Sequence, residues 1–316
     1  MLEKCRRDQW RVGDIDWSRR PRVMSKDDEI AIVQYFTDMV AIERLAGALF
    51  REQEGRASDP TLREIFRTFV EDEARHAHAA QMLADHYDVH RYRVYRTSES
   101  LVAFFPHFLN AITFLSDDVA NAYVTAGELM LDIALLRSIN DFVADETSEE
   151  AMRLINRDES RHIAVDYHMV EHYASEAYLS ELHAKGDREP LARRLKALWT
   201  FGNVIYRAKP FFRDVFFQPM EKVDPSGQRL REALRRFQLL GAKPGVSERP
   251  FGRFMLQVQT LYLHPVAGRL FGRALARLAG VEPRFLERLN SEDDLERARA
   301  TSYEAMADEA LAVKAS

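Results

Sequence analysis

The chain has 316 residues, one cysteine and a formal net charge of −5. That length can bury a large core, and the lone Cys5 excludes a disulfide framework or a thiolate zinc site. Glycine and proline number only 13 and 11, 30% of residues are charged, and long stretches follow a 3.6-residue period, so the expected class is all-α.

The first 27 residues form an N-terminal arm too polar for a secretory signal peptide. No apolar run reaches the roughly 18–20 residues of a membrane span, and a reduced cytoplasm is the expected compartment. Charge is unevenly spread. Residues 28–186 carry 14 Lys/Arg against 29 Asp/Glu, whereas residues 187–280 carry 18 against 7. The expected organisation is an arm (1–27), an acidic four-helix bundle (28–186) and a basic, aromatic-rich helical extension (187–316) packed on it.

The first bundle helix is expected over about Asp28 to Glu54, capped by Asp27 or Asp28. Phe36, Met39, Val40, Gly47 and Phe50 share a stripe with Glu43, which puts that carboxylate on the buried face. A buried unpaired carboxylate is costly and calls for a cation. Asp59-Pro60 starts the second helix. There Ile65, Phe66, Phe69 and Val70 share a stripe with Glu73 and His76 of the run Asp72-Glu73-Ala74-Arg75-His76. At 1.5 Å per residue the chain travels roughly 17 Å from Glu43 to the turn and roughly 20 Å back to Glu73, so the two come level.

Residues 89–115 join the halves and are rich in aromatics, with a short helix expected. The third bundle helix is expected over about Asp117 to Phe142, with Val124, Thr125, Leu131 and Leu135 around Glu128. Thr147 and Glu150 suggest a capping box for the fourth, which runs to about Tyr173. Met152, Ile155 and Ile163 lie on its stripe with Glu159 and His162 of Asp158-Glu159-Ser160-Arg161-His162. The second hairpin thus repeats the first: a carboxylate, a turn, then Glu-x-x-His.

The i,i+3 spacing sets Glu and His one turn apart on one face, where both can bind one ion. Two solvated faces would instead turn the neighbouring apolar residues to water. Glu43 and Glu128 are expected to cap or bridge the ion pair, and carboxylates with imidazoles suit iron or manganese. Asp72 and Asp158 stand beside a ligand, off the ligand face. Each is placed to accept the free N–H of a histidine on another helix, with Arg75 and Arg161 neutralising them. His78, His168 and His172 lie off the stripe and are not expected at the metal.

This pattern resembles the ferritin-like di-iron carboxylate superfamily over about residues 28–175. Glu43, Glu73-x-x-His76, Glu128 and Glu159-x-x-His162 follow that family's six-ligand order. The resemblance implies two Fe (or Mn/Fe), O2 as co-substrate, and an oxygenase that hydroxylates, N-oxygenates or desaturates a small organic or carrier-bound substrate. It also implies an external electron donor, a ferredoxin or flavin reductase, and is compatible with a homodimer. Length and spacing are similar to the arylamine N-oxygenases, which carry an extra histidine ligand one turn before the second motif. Ile155 stands there in this chain. One ion should then keep an open coordination sphere, and Phe36, Phe69, Val124 and Ile155 should line a dry pocket.

Two other readings are open: rubrerythrin- or ferritin-like iron or peroxide handling, and a non-catalytic binding protein stapled by metal. The extension of roughly 130 residues argues against a minimal storage protein. Its basic surface suits an acyl carrier protein, a coenzyme A ester or an anionic lipid, or is a plain solvated face. No nucleic-acid motif accompanies the charge.

Overall fold

The computed structural model describes residues 1–114, 117–186, 190–279 and 281–315, and no strand occurs among them. Fifteen labels suffice for the helices: α1 (Leu2–Arg7), α2 (Lys26–Arg56), α3 (Pro60–Tyr87), α4 (Glu99–Phe114), α5 (Asp117–Val143), α6 (Glu146–Ala174), α7 (Glu176–Gly186), α8 (Leu191–Phe212), α9 (Gln218–Val223), α10 (Gln228–Gly241), α11 (Pro244–Ser247), α12 (Pro250–Leu263), α13 (Ala267–Ala279), α14 (Glu292–Ala300) and α15 (Tyr303–Ala315).

The turn between α2 and α3 is short because Asp59 caps α3 and accepts a hydrogen bond from the Leu62 amide at 2.7 Å, with Pro60 at the first helical position. The two helices pack along their length through Phe50, Phe66 and Phe69, whose ring centroids lie 5.2 to 6.3 Å apart. Helix α2 starts at Ser25, not at the aspartates that follow. The Ser25 hydroxyl accepts from the Asp28 amide, and Asp27, Asp28 and Glu29 supply negative charge to the first turn. Helix α4 crosses between the hairpins and meets α8 through Phe104 and Phe211, stacked with centroids 4.5 Å apart.

Helix α5 is continuous but changes pitch. Directly after Glu128, Leu129–Leu135 adopts a π-helical turn whose residues are all buried. A π turn admits an extra residue and re-aims the faces on either side of it, often beside functional groups. This helix is long and apolar enough to cross a membrane, and 81% of its most apolar window is buried inside the fold. Its apolar stretches run on either side of Glu128 and Asp132, which a search for uncharged runs does not join together. It is a core helix.

The capping box expected at Thr147 and Glu150 gives way to Asp145. Its Oδ1 accepts from the Ser148 amide at 2.9 Å and from the Tyr87 hydroxyl at 2.7 Å, and its Oδ2 accepts from the Arg22 amide at 3.2 Å. One carboxylate therefore caps α6 and also ties α3 and the N-terminal arm to it. The extension closes over α5 and α6: α10 lies on the π turn and α15 on α6. Arg249 fastens it, buried with an ion pair to Asp118 at 3.3 Å and a 2.7 Å hydrogen bond to the Tyr173 carbonyl.

Asp145→Ala should lower the unfolding free energy by about 2 kcal/mol, since it removes a cap and leaves the hydroxyl of the buried Tyr87 without its acceptor. In denaturant titrations, Tyr87→Phe should add little to it, because the two share one interaction.

Candidate metal centre

Glu43 is near the middle of α2, Glu73 and His76 of α3, Glu128 of α5, and Glu159 and His162 of α6. All six are at most 5% exposed. Their donor atoms form two overlapping groups: Glu43, Glu73, His76 and Glu159; and Glu73, Glu128, Glu159 and His162. Within each group the donors lie no more than 4.8 Å from one another, and each group could hold a metal ion. Glu73 and Glu159 belong to both and are the shared pair. Glu43 and Glu128 belong to one each.

The polar atoms of this cluster are unsatisfied. Both carboxylate oxygens of Glu73 and of Glu159, one each of Glu43 and Glu128, and Nδ1 of His76 and His162 make no hydrogen bond. Nδ1 of His76 lies 2.9 Å from Glu159 and Nδ1 of His162 lies 2.7 Å from it, so both imidazoles turn this nitrogen inwards. Burial, reinforced by Glu73 and Glu159, holds the Glu43 carboxyl well above its usual range, and burial with the same two neighbours does so for Glu128. For Glu159 burial is outweighed by His162 and His76, which pull its carboxyl well below that range. Both imidazoles go up, because Glu159 and the aspartate behind each outweigh burial. The unsatisfied donor set could hold a metal ion in place of these protons. Oxygen and imidazole donors without sulfur are the kind that hard or borderline ions use.

The opposite nitrogens face two aspartates, and the pairs cross between helices. His76 Nε2 on α3 is 3.2 Å from Asp158 on α6, and His162 Nε2 on α6 is 3.4 Å from Asp72 on α3. An Nε2–H donated to carboxylate leaves the Nδ1 lone pair for metal. Arg161, wholly buried, donates to both aspartates, at 3.1 Å to Asp72 and 2.8 Å to Asp158, while Arg75 donates to Asp72. Asp158 sits low, at about 2: burial pushes it up, but His76, Arg161 and Trp10 together overcome that. With the aspartates matched by two guanidiniums, the charge of the four inner glutamates is left unbalanced by any arginine among the described residues.

Sequence periodicity gave no sign of Trp10. The N-terminal arm lays its indole beside His76, ring centroids 6.4 Å apart, and Nε1 donates to Asp158 at 2.7 Å. Gln9 reaches Asp72 and accepts from Arg75. Asp166 was also overlooked, although it lies four residues after His162 on the same face. It is fully buried, neither carboxylate oxygen has a hydrogen-bond partner, and burial, with Glu159 and Asp132 nearby, raises it well above the usual range despite His162. Gly47 leaves room for the cluster, since a Cβ there would come within 3.1 Å of the Glu73 Cβ.

Phe36, Phe69 and Ile155 are fully buried and Val124 nearly so. Phe69 packs on the His162 ring at 4.1 Å and Phe36 on Tyr87 at 5.9 Å. None of these four lines the cavity of about 660 Å3 that lies against α5 and α6, whose walls include Asn121, Thr125 and Val170 instead. His78, His168 and His172 are exposed. No protein-family model, curated protein or solved structure matches the chain.

Asp72→Asn and Asp158→Asn should each weaken metal binding about 10–100-fold, as changes behind a ligand typically do, while Trp10→Phe should cost less because it removes only one of the hydrogen bonds to Asp158. Competition titrations against a chelator measure this, and wild-type affinity in both aspartate variants would rule out the orienting role.

Proposed function

We propose that the chain is a non-haem di-iron oxygenase or oxidase of the ferritin-like kind. The observation that carries this reading is the pair of buried donor groups sharing Glu73 and Glu159, with Glu43 and Glu128 at the ends and one imidazole in each. Four long helices delivering one glutamate each, two of them adding a histidine one turn on, is the arrangement that such sites use. Two bound iron ions would supply the electrons that reduce O2 and the oxidant that attacks a substrate.

The protein's own part is to hold and shield. Asp72 and Asp158 fix both imidazoles in one tautomer. Phe50 and Phe69 pack on the His162 ring, with centroids 5.1 and 4.1 Å away, and keep water from that side. Glu43, Glu73, His76, Glu128, Glu159 and His162 would hold the two ions, and a catalytic centre, unlike a structural staple, would need a coordination position left for O2. Ile155 stands one turn before Glu159, where the arylamine N-oxygenases carry their extra histidine, so the reading does not extend to N-oxygenation in particular. Electrons would come from a separate ferredoxin or flavin reductase.

Metal analysis of protein loaded anaerobically with ferrous iron should find about two ions per chain, with a Mössbauer doublet for a coupled pair after oxidation. His76→Ala and His162→Ala should each lose that pair while circular dichroism stays helical. Oxygen mixed with the reduced protein should give a defined optical transient. Slow, featureless oxidation would favour a metal staple, and accumulation of many irons per chain would favour storage.

A further inference from the structure

The cavity of about 660 Å3 lies between the helices that carry Glu128 and His162 and the C-terminal extension, and it has the size of a small-molecule site. Its inner wall is Asn121 and Thr125 of α5. Thr125 stands one turn before Glu128 and Asn121 two turns before it, about 4.5 and 10.5 Å along the helix axis. Both side chains are buried. They hydrogen-bond to each other, Gln53 donates to Asn121, and Asn121 donates to the Asp166 carbonyl. The cavity therefore ends on a short polar partition beside the carboxylate cluster.

The rest of the wall is mainly apolar. Val170 and Tyr173 of α6 face Phe237 and Leu240 of α10 and Met255 of α12. The rim changes character: Arg288, Arg299 and His264 border it and are exposed. Arg288 is only loosely paired to Glu292, at 3.6 Å with both side chains about two-thirds exposed. Arg299 makes no ion pair with any described carboxylate. A dry interior with cations at the entrance is complementary to a molecule that is apolar along its length and anionic at one end.

We propose that this cavity takes the substrate, an elongated apolar molecule with a single anionic head held at Arg299 and Arg288. Its far end then reaches the Asn121–Thr125 partition, next to Glu128. As a substrate assignment this rests on the oxygenase reading, whereas binding in the cavity does not.

Gly241 lines the cavity, and a Cβ added there meets nothing within 4 Å. Gly241→Phe therefore places its first side-chain atom in open space on the cavity wall, away from the six ligands, none of which lines the cavity. Isothermal titration of dodecanoate into the iron-loaded protein should give saturable one-to-one binding. Gly241→Phe should weaken it at least tenfold, and Arg299→Glu several-fold. 1-Dodecanol should bind more weakly than dodecanoate to the wild type and equally to Arg299→Glu and wild type. Iron content and circular dichroism should be unchanged in both variants. No dodecanoate binding, or equal binding by wild type and Gly241→Phe, overturns the proposal. If Gly241→Phe does not fold, equal dodecanoate binding by wild type and Arg299→Glu overturns the anionic-head assignment by itself. Binding that the variants abolish, in a protein whose reduced iron ignores oxygen, upholds the cavity and overturns the oxygenase reading instead.

Discussion

Four glutamates held together away from water are the constraint on which everything else depends. Moving one unpaired carboxylate into a low-dielectric interior costs several kcal/mol, and gathering four adds their mutual repulsion. No arrangement of apolar side chains offsets that. The cluster is stable only with positive charge inside it, as protons and imidazolium or as metal, and the orphaned oxygens of Glu73 and Glu159 show that hydrogen bonds have not been used to quiet it. The packing of Phe50, Phe66 and Phe69, the space left by Gly47 and the buried Arg161 all serve to hold an otherwise unfavourable group of charges in place.

A second layer of charge surrounds the first and is balanced separately. Asp72 and Asp158 have guanidiniums for partners, so they do not draw charge from the centre and can act as acceptors for the imidazoles. Arg161 touching both aspartates makes them one unit rather than two copies of a motif. The two Glu-x-x-His hairpins are consequently joined twice, through the shared glutamates and through the aspartates behind the histidines.

Much of the centre was legible because helices convert spacing into direction. Glu43 and Glu128 could be picked out by the apolar residues at three- and four-residue offsets, and the repeated five-residue run named the rest. Helix ends were less legible: Ser25 and Asp145 cap where neighbouring aspartates or Thr147 seemed equally suitable, since several residues with capping oxygens stand together. Trp10 was invisible because its partner is set by tertiary docking of the arm, and periodicity speaks only within one helix. The cavity escaped too. It is enclosed by α10, α12 and α14, and how an extension settles on a bundle is not written in the stripe of either. The π turn after Glu128 has no sequence signature that a 3.6-residue period would detect.

The docking of the arm also bears on how the molecule assembles. Trp10 is 148 positions from Asp158 in the chain and 66 from the ring of His76, yet it closes over both. Contacts so distant in sequence need the intervening chain to be brought round before they can form. The arm's indole has its binding place only where α3 and α6 lie side by side. The environment of that indole is therefore a native reporter of register between the two hairpins: it is complete only when His76 and Asp158 are both in place.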